Sequence, residues 1–426
     1  MIDSVYQAAL DLAQERTPAW AKSRQTIAAL SLRDRPLPGR KSEHWKYAPL
    51  SSLPPVVIGQ AANEVAKPRS LPTLDGVTIT VSPNGILECS DTLPTGVTVR
   101  TFDALDDTEA IDLTRLLETG VADRSGLIRD VSNATCTVGL WIEVSKDVQV
   151  DLPLTVVWDL SPGSAWMSSQ LVVRLQRGAQ VSIVEQFSSS DETLCHQHGL
   201  TDLFLGDGAN LDYVRLGDFA PATYFLGGVF ASLARDAQLS AFAYTQGANL
   251  SRNEVGIRFD APGAHADVNG VYLPRGREAV DFHTTLEHAA EHCTSNETFR
   301  GIVGDHANAV FNGRIHIHEG AQKTVAQLSN KNLLTSDTAQ VNTKPELEIY
   351  ANDVQCAHGA TVAQLNDEAV HYLRSRGVSK EVAVQLISIG FVETLFERVR
   401  HESVRDWLRQ QTRARCDSPS NVSAVS

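Results

Sequence analysis

Between residues 171 and 272 one pattern recurs four times, and it constrains this chain more than any other feature. A short apolar run enters a turn that contains alanine, and a second apolar run leaves it. Leu171–Leu175 precedes Arg177-Gly178-Ala179-Gln180, then Val181–Phe187, and Leu203–Leu205 precedes Asp207-Gly208-Ala209-Asn210, then Leu211–Leu216. Ala231–Leu233 precedes Arg235-Asp236-Ala237-Gln238, then Leu239–Tyr244, and Ile257–Phe259 precedes Pro262-Gly263-Ala264-His265, then Ala266–Tyr272. The turn alanines Ala179, Ala209, Ala237 and Ala264 are 30, 28 and 27 residues apart. A near-constant period of this length is the signature of stacked repeats. Strand, tight turn and strand leave no room for a crossover helix. The expected core is therefore mainly β, a right-handed parallel β-helix in which each coil lays its turn over the one before. An antiparallel sandwich or jelly roll is the alternative. About nine coils at ~4.8 Å each between residues 134 and 365 would make a stack roughly 40 Å long. Leu239, Ala241 and Ala243 alternate with Ser240, Phe242 and Tyr244. That strand alone does not reveal which set faces inward.

The flanks read differently. Ile2, Val5, Ala9 and Leu12 fall at helical spacing, and a helical region is expected to run to about Leu32 before Pro36, Pro38 and Gly39 end it. Ser51–Ser70 is rich in Pro and Ala and reads as irregular. Residues 71–130 mix short strands with a helical piece around Asp112–Leu117. After residue 365 the period becomes helical again. Asn366 can N-cap, with Asp367 and Glu368 in the first turn, Gly377 can follow the C-terminus, and Ser379 can cap the next helix. On that helix Val382, Leu386, Ile389, Phe396 and Val399 mark one apolar face, widened by Phe391, Val392 and Leu395. A third helical piece covers about 403–415. The chain thus divides into a helical and mixed region (1–130), a β-helix core (131–365), a helical segment (366–416) and a disordered tail (417–426).

Composition excludes several functions. With 51 acidic against 37 basic side chains the formal charge is −14, so the surface repels phosphate backbones and nucleic-acid binding is disfavoured. No run approaches the roughly 18 apolar residues of a membrane span, and no secretory leader is visible. Six scattered cysteines without a CxxC pair suit free thiols in a reducing compartment, and the cytoplasm is the expected location. The phosphate loop, nucleophile elbow and dinucleotide fingerprint are all missing, which argues against nucleotide hydrolysis by this chain.

Three constellations could carry metal chemistry. His288, Glu291 and His292 match H-x-x-E-H, a zinc-peptidase pattern that requires a helix; the two threonines at 284–285 favour a strand instead. His196/His198 and His316/His318 are H-x-H pairs, and on a strand each would put two imidazoles on one face. Cys356 and His358 would likewise share a strand face. A thiolate and an imidazole suit zinc, copper(I) or iron–sulfur chemistry, but two ligands leave a site open. The bland reading is a small buried cysteine beside a hydrogen-bonded histidine.

The segments Phe311-Asn-Gly-Arg-Ile-His-Ile-His318, Asn330-Lys-Asn-Leu-Leu334 and Thr343-Lys-Pro-Glu-Leu-Glu-Ile-Tyr-Ala-Asn-Asp-Val-Gln-Cys-Ala-His-Gly-Ala-Thr361 resemble the SufB/SufD family of iron–sulfur cluster assembly proteins. Ser42-Glu-His-Trp-Lys-Tyr47 resembles an N-terminal motif of the same family. Gly359 after His358 is similar to the SufD branch, whereas Asn352 and Ala357 depart from the commoner Asp and Ser. The resemblance implies a non-catalytic β-helix scaffold that pairs with SufB and binds the SufC ATPase through its C-terminal helices. It implies no tightly bound cofactor in isolation, with iron or a transient cluster at the SufB interface, where Cys356 and His358 are the candidate ligands. A homodimer without SufB stays open, as does a purely structural scaffold with no ligand of its own. Cys89, Cys136 and Cys195 are expected to be structural.

Overall fold

The computed structural model describes residues 2–33, 35–47, 50, 53–58, 72–82, 85, 87–122, 124, 126–160, 165–189 and 194–417. Most of the 51–70 stretch and the tail beyond 417 lie outside the described residues. The core is a parallel β-solenoid of two facing sheets.

The first strands are β1 (Val77–Val81), β2 (Leu87–Cys89), β3 (Val97–Thr101), β4 (Val138–Val144) and β5 (Leu154–Trp158). There follow β6 (Trp166–Leu175), β7 (Gln180–Ser188), β8 (Cys195–Leu205), β9 (Asn210–Asp218), β10 (Thr223–Leu233), β11 (Gln238–Gln246) and β12 (Leu250–Phe259). The last are β13 (His265–Tyr272), β14 (Ala279–His288), β15 (Thr294–Val303), β16 (Asn308–Ile317), β17 (Val325–Leu334), β18 (Gln340–Ile349) and β19 (Gln355–Gln364). From β4 onward the even strands form one sheet and the odd strands the other, each pairing in parallel with the strand two ahead. The expected period is the register itself: Gln180 pairs with Asn210, Asn210 with Gln238, and Gln238 with His265.

β4/β5 through β18/β19 make eight coils, one fewer than the sequence estimate. Strand structure resumes only at Val138, because a helix occupies Leu127–Thr135. The sheets also recruit strands from before residue 131. β1 pairs in parallel with β5, while β2 and β3 close the start of the stack with antiparallel pairings.

The tight turns stack as the spacing requires. Gly178, Gly208, Asp236, Gly263, His292 and Lys323 hold φ between 55° and 82°. Gly178, Gly208, Asp236, His292 and Lys323 each donate their N–H to a turn carbonyl of the next coil, at 2.6–3.1 Å. The alanine or cysteine that follows, at 179, 209, 237, 264 and 293, is fully buried. Only a small side chain fits where the two sheets meet at so sharp a corner.

Helices cover both outer faces. On the even sheet, α1 (Ile2–Arg16), α2 (Lys22–Leu32) and α4 (Leu127–Thr135) bury Tyr6, Leu32 and Val131 against Trp166, Leu226 and Leu250. The intervening α3 (Asp107–Glu118) is capped by Asp106 and Glu109 acting reciprocally. On the odd sheet, α6 (Lys380–Phe396) and α7 (Glu402–Asp417) bury Val392, Phe396, Trp407 and Leu408 against Val214, Phe242 and Tyr244. Two residues separate β19 from α5 (Asp367–Ser375), and Asn366 accepts from the backbone N–H groups of Glu368 and Ala369. Gly377, with φ 91°, ends that helical stretch, and the Ser379 hydroxyl caps α6.

Candidate functional site at the open end of the solenoid

The last coil has strands but no cover. β18 and β19 are the edge strands of their sheets. In a parallel ladder, alternate residues turn both N–H and C=O to the same side. Gln355 N–H donates to Thr324 O at 2.9 Å and Gln340 N–H to Ala307 O at 3.0 Å, so the odd positions of β19 and the even positions of β18 bond inward to the stack. The backbone groups of Cys356, His358, Ala360 and Val362, and of Val341, Thr343, Leu347 and Ile349, therefore face the open edge. Pro345 falls in that second set. A proline is tolerated in a strand where no ladder N–H is required, so Pro345 marks the edge.

Side chains at these positions face the solenoid interior. Register places Cys356 above Ala326 and His358 above Leu328, both buried core residues. Cys356 is half-buried and packs against the core, and His358 is exposed because no further coil covers it. Partial burial pushes the Cys356 thiol up. Ile349 and Val362 are exposed around the same mouth. His358 also borders a groove of about 700 Å³ on the outer odd sheet, lined by Asp267, Asn296, Gln327, Ala357 and Arg398. One coil down, Asn330 and Asn332 form a closed hydrogen-bonded triangle with Tyr272 of β13, with distances of 2.6–3.0 Å. Glu297 shares a column with Leu328 and His358; burial pushes its carboxyl up to about 8, and the Thr284 hydroxyl donates to it at 2.6 Å.

The C-terminal helices present part of the expected apolar face. Val382 and Leu386 are 44% and 50% exposed, and Ile389 is half-buried. Phe396 and Val399 are buried on the odd sheet, with the Phe396 and Phe242 rings 6.4 Å apart. They are therefore not available to a partner as the sequence face implied. α6 is apolar around much of its circumference, so its C-terminal half can dock on the sheet while its N-terminal half leaves Val382 and Leu386 outside.

The N-terminal motif clamps the even sheet near the same end. Trp45 is buried, and the guanidinium of Arg252, itself fully buried, lies 4.3 Å from its ring centroid. Arg252 donates to Asp281 at 2.5 Å, Glu254 at 2.8 Å and the His44 carbonyl at 3.0 Å.

The histidine motifs separate by environment. His288 is the buried last residue of β14, stacked on Phe259 at 4.2 Å, while His292 sits in a tight turn. No helix carries the H-x-x-E-H residues, and the peptidase geometry is not formed. His196 and His198 share the outer face of β8 as expected, but both are buried among aromatic rings. His198 lies 5.2 Å from Tyr6 and 5.0 Å from Trp166, and His196 stacks on Tyr224 at 5.3 Å. Burial pushes the His196 imidazole down to about 4 and that of His198 down as well. These neutral rings stabilise the fold fully above the ordinary histidine pKa of about 6.5, and that contribution is lost as pH falls toward 4. We expect a loss of about 2 kcal/mol at pH 5 from His196, with His198 acting in the same direction. Thermal unfolding should show a clear fall between pH 7 and pH 5, and His196→Phe with His198→Phe should flatten it. His316 and His318 pair instead with Glu348 and Glu287.

Among the described residues no group of three or more His, Cys, Asp or Glu is arranged to hold a metal ion, and no helix is long and apolar enough to cross a membrane. Cys195 and Cys293 are buried, Cys136 is half-buried and Cys89 is exposed; all four, with Cys356, are free thiols.

The SUF system FeS cluster assembly, SufBD core domain family matches residues 160–391. The chain belongs to the SufBD family. Over 389 residues it is 30% identical to the iron–sulfur cluster assembly protein SufD of Escherichia coli, covering 89% of this chain and 88% of that protein. It is 26% identical over 394 residues to a SufBD family protein of Synechocystis, covering 88% and 86%. Over 274 residues it is 25% identical to SufD of Bacillus subtilis, covering 63% and 62%. The SufBD core match takes in all of β6–β19 together with α5 and most of α6, and so contains Cys356 and His358.

Proposed function

We propose that this chain is a non-catalytic scaffold subunit in iron–sulfur cluster assembly, and that a SufB-type solenoid closes its open coil. The observation that carries the reading is that uncovered last coil: two unpaired edges flank a mouth lined by a thiol and an imidazole. Two ligands cannot complete an iron site, so the partner supplies the rest. His358 acts as a neutral imidazole donor. The iron or cluster atom is cargo, assembled at the seam and passed on. Metal binding would displace the Cys356 proton, which burial otherwise retains.

The C-terminal helices supply the link to energy. Val382 and Leu386, one turn apart on α6, form an apolar handle suited to a SufC-type ATPase. α5 follows β19 almost directly, so a pull on α5 and α6 acts on the strand that carries both ligands. ATP-driven movement would open or align the mouth.

Anaerobic reconstitution of the complex with His358→Ala tests this. Cluster yield should fall several-fold while the complex still assembles; an unchanged yield with an intact complex rejects the ligand role. One observation favours a narrower reading in which Cys356 is structural: its side chain packs on the core and its thiol is pushed up. Cys356→Ser would then leave the yield unchanged while His358→Ala still lowers it.

A further inference from the structure

The two H-x-H pairs have the same spacing and opposite surroundings, and the exposed pair is the informative one. His316 is the outward-facing penultimate residue of β16, and His318 follows the strand. Their rings stand edge to face, with centroids 4.6 Å apart and planes at 80°. His316 Nδ1 lies 2.9 Å from Glu348 Oε2, and His318 Nε2 lies 2.7 Å from Glu287 Oε1. The guanidinium of Arg314 hydrogen-bonds Glu348 and forms an ion pair with its carboxylate. Glu348 can only accept, whereas the Arg314 guanidinium, 3.0 Å from the same nitrogen, can only donate, so His316 Nδ1 carries the proton in the tautomer that Glu348 selects. Glu287 imposes the same choice on His318 Nε2. The lone pairs are then on His316 Nε2 and His318 Nδ1.

This is how protein metal ligands are commonly held, with the second ring nitrogen donating to a carboxylate that fixes tautomer and orientation. The ring separation agrees. Two imidazoles sharing one ion through nitrogens about 2.1 Å away, at octahedral or tetrahedral angles, have centroids roughly 4.6–5.3 Å apart. The buried pair is held differently, because His196 and His198 each face a different aromatic partner.

We propose that His316 and His318 form an open, two-imidazole site for a first-row divalent cation, with Glu348 and Glu287 as positioning carboxylates. Imidazole donors suit zinc, cobalt, nickel and iron(II). Two protein ligands leave the other coordination positions to water. The Arg314 side chain, with a guanidinium nitrogen 3.0 Å from His316 Nδ1, weakens the hold on a dication, so the site exchanges its ion readily. It is separate from the Cys356/His358 mouth, and the test separates the two readings.

Cobalt(II) alone is titrated into the full chain carrying Cys356→Ser and His358→Ala, which removes the mouth ligands. Binding is read by visible absorbance and by paramagnetic broadening of histidine ring resonances. One ion per chain is expected, and it broadens the His316 and His318 rings first. His318→Ala should weaken binding at least tenfold with an unchanged melting temperature, and Glu287→Gln should weaken it about tenfold. Equal binding in His318→Ala and Glu287→Gln overturns the proposal, as does earlier broadening of other histidines.

Discussion

An Arg252→Ala chain is expected to lose about 3–5 kcal/mol of folding stability. The side chain is fully buried, and its removal leaves the carboxylates of Asp281 and Glu254 without their cation in the same dry site. Burial acts to raise the Asp281 carboxyl, but Arg252 and His283 outweigh it and hold it below the usual range. Without Arg252 the desolvation remains and the compensation is gone. The face of Trp45 loses its cation, and the His44 carbonyl loses its donor. The same substitution should therefore release the 42–47 segment from the even sheet. Urea unfolding measures the stability loss, and limited proteolysis around residue 45 reads the release. A loss below about 1 kcal/mol would mean the buried pairs contribute no more than surface ones. Arg252→Lys should also destabilise, since a single ammonium cannot serve Asp281, Glu254 and a carbonyl with one planar fork.

Ala360→Pro is expected to weaken binding of the SufB-type partner a hundredfold or more while leaving the chain folded. Residue 360 turns its N–H to the open edge, so proline removes no bond of the solenoid. It removes one donor from the row a partner would pair with, and its ring stands in the way of an approaching strand. Gly359→Pro is the contrasting control. Its N–H belongs to the inward-bonding set facing β17, so that substitution should lower the melting temperature of the isolated chain. The pair separates loss of the interface from loss of the fold. Equal partner affinity for Ala360→Pro and wild type would rule out edge pairing.

Much of the solenoid was legible because its corner is sterically strict. Six of the eight coils turn on a left-handed residue followed by a small one, and this leaves Gly178-Ala179, Gly208-Ala209, Asp236-Ala237 and Gly263-Ala264 visible at a steady interval. The same corner carries His292-Cys293 and Lys323-Thr324, which the alanine pattern passes over. The strand faces were harder to read. Leu239, Ala241 and Ala243 face the interior, but Phe242 and Tyr244 are covered by α6 and α7, so both sides of the strand avoid water. The same double burial hid the division of α6 between its docked end at Phe396 and its open end at Val382 and Leu386. Short strands were expected within 71–130, but not their place in the solenoid sheets, because β2 and β3 join antiparallel, outside the repeat.

At the site, the pairing of Cys356 with His358 followed from simple alternation, and the structure adds what they face. That they line an uncovered end depends on the absence of a ninth coil, which no local pattern encodes. One signal was present: Pro345 inside an otherwise regular strand can only occupy an edge. The Arg252–Asp281 clamp left no such mark, since its partners lie 29 residues apart in sequence and meet only through the coil register.

Amide hydrogen exchange of the chain alone and with its SufB-type partner tests the open-coil reading most directly. The amides of Cys356, His358, Ala360 and Val362 should exchange quickly in the free chain and become protected in the complex, while Gln355, Ala357 and Gly359 are slow in both. If the first set exchanges at the same rate with and without the partner, the mouth is not where the second subunit binds, and the cluster-assembly role drawn for His358 is wrong.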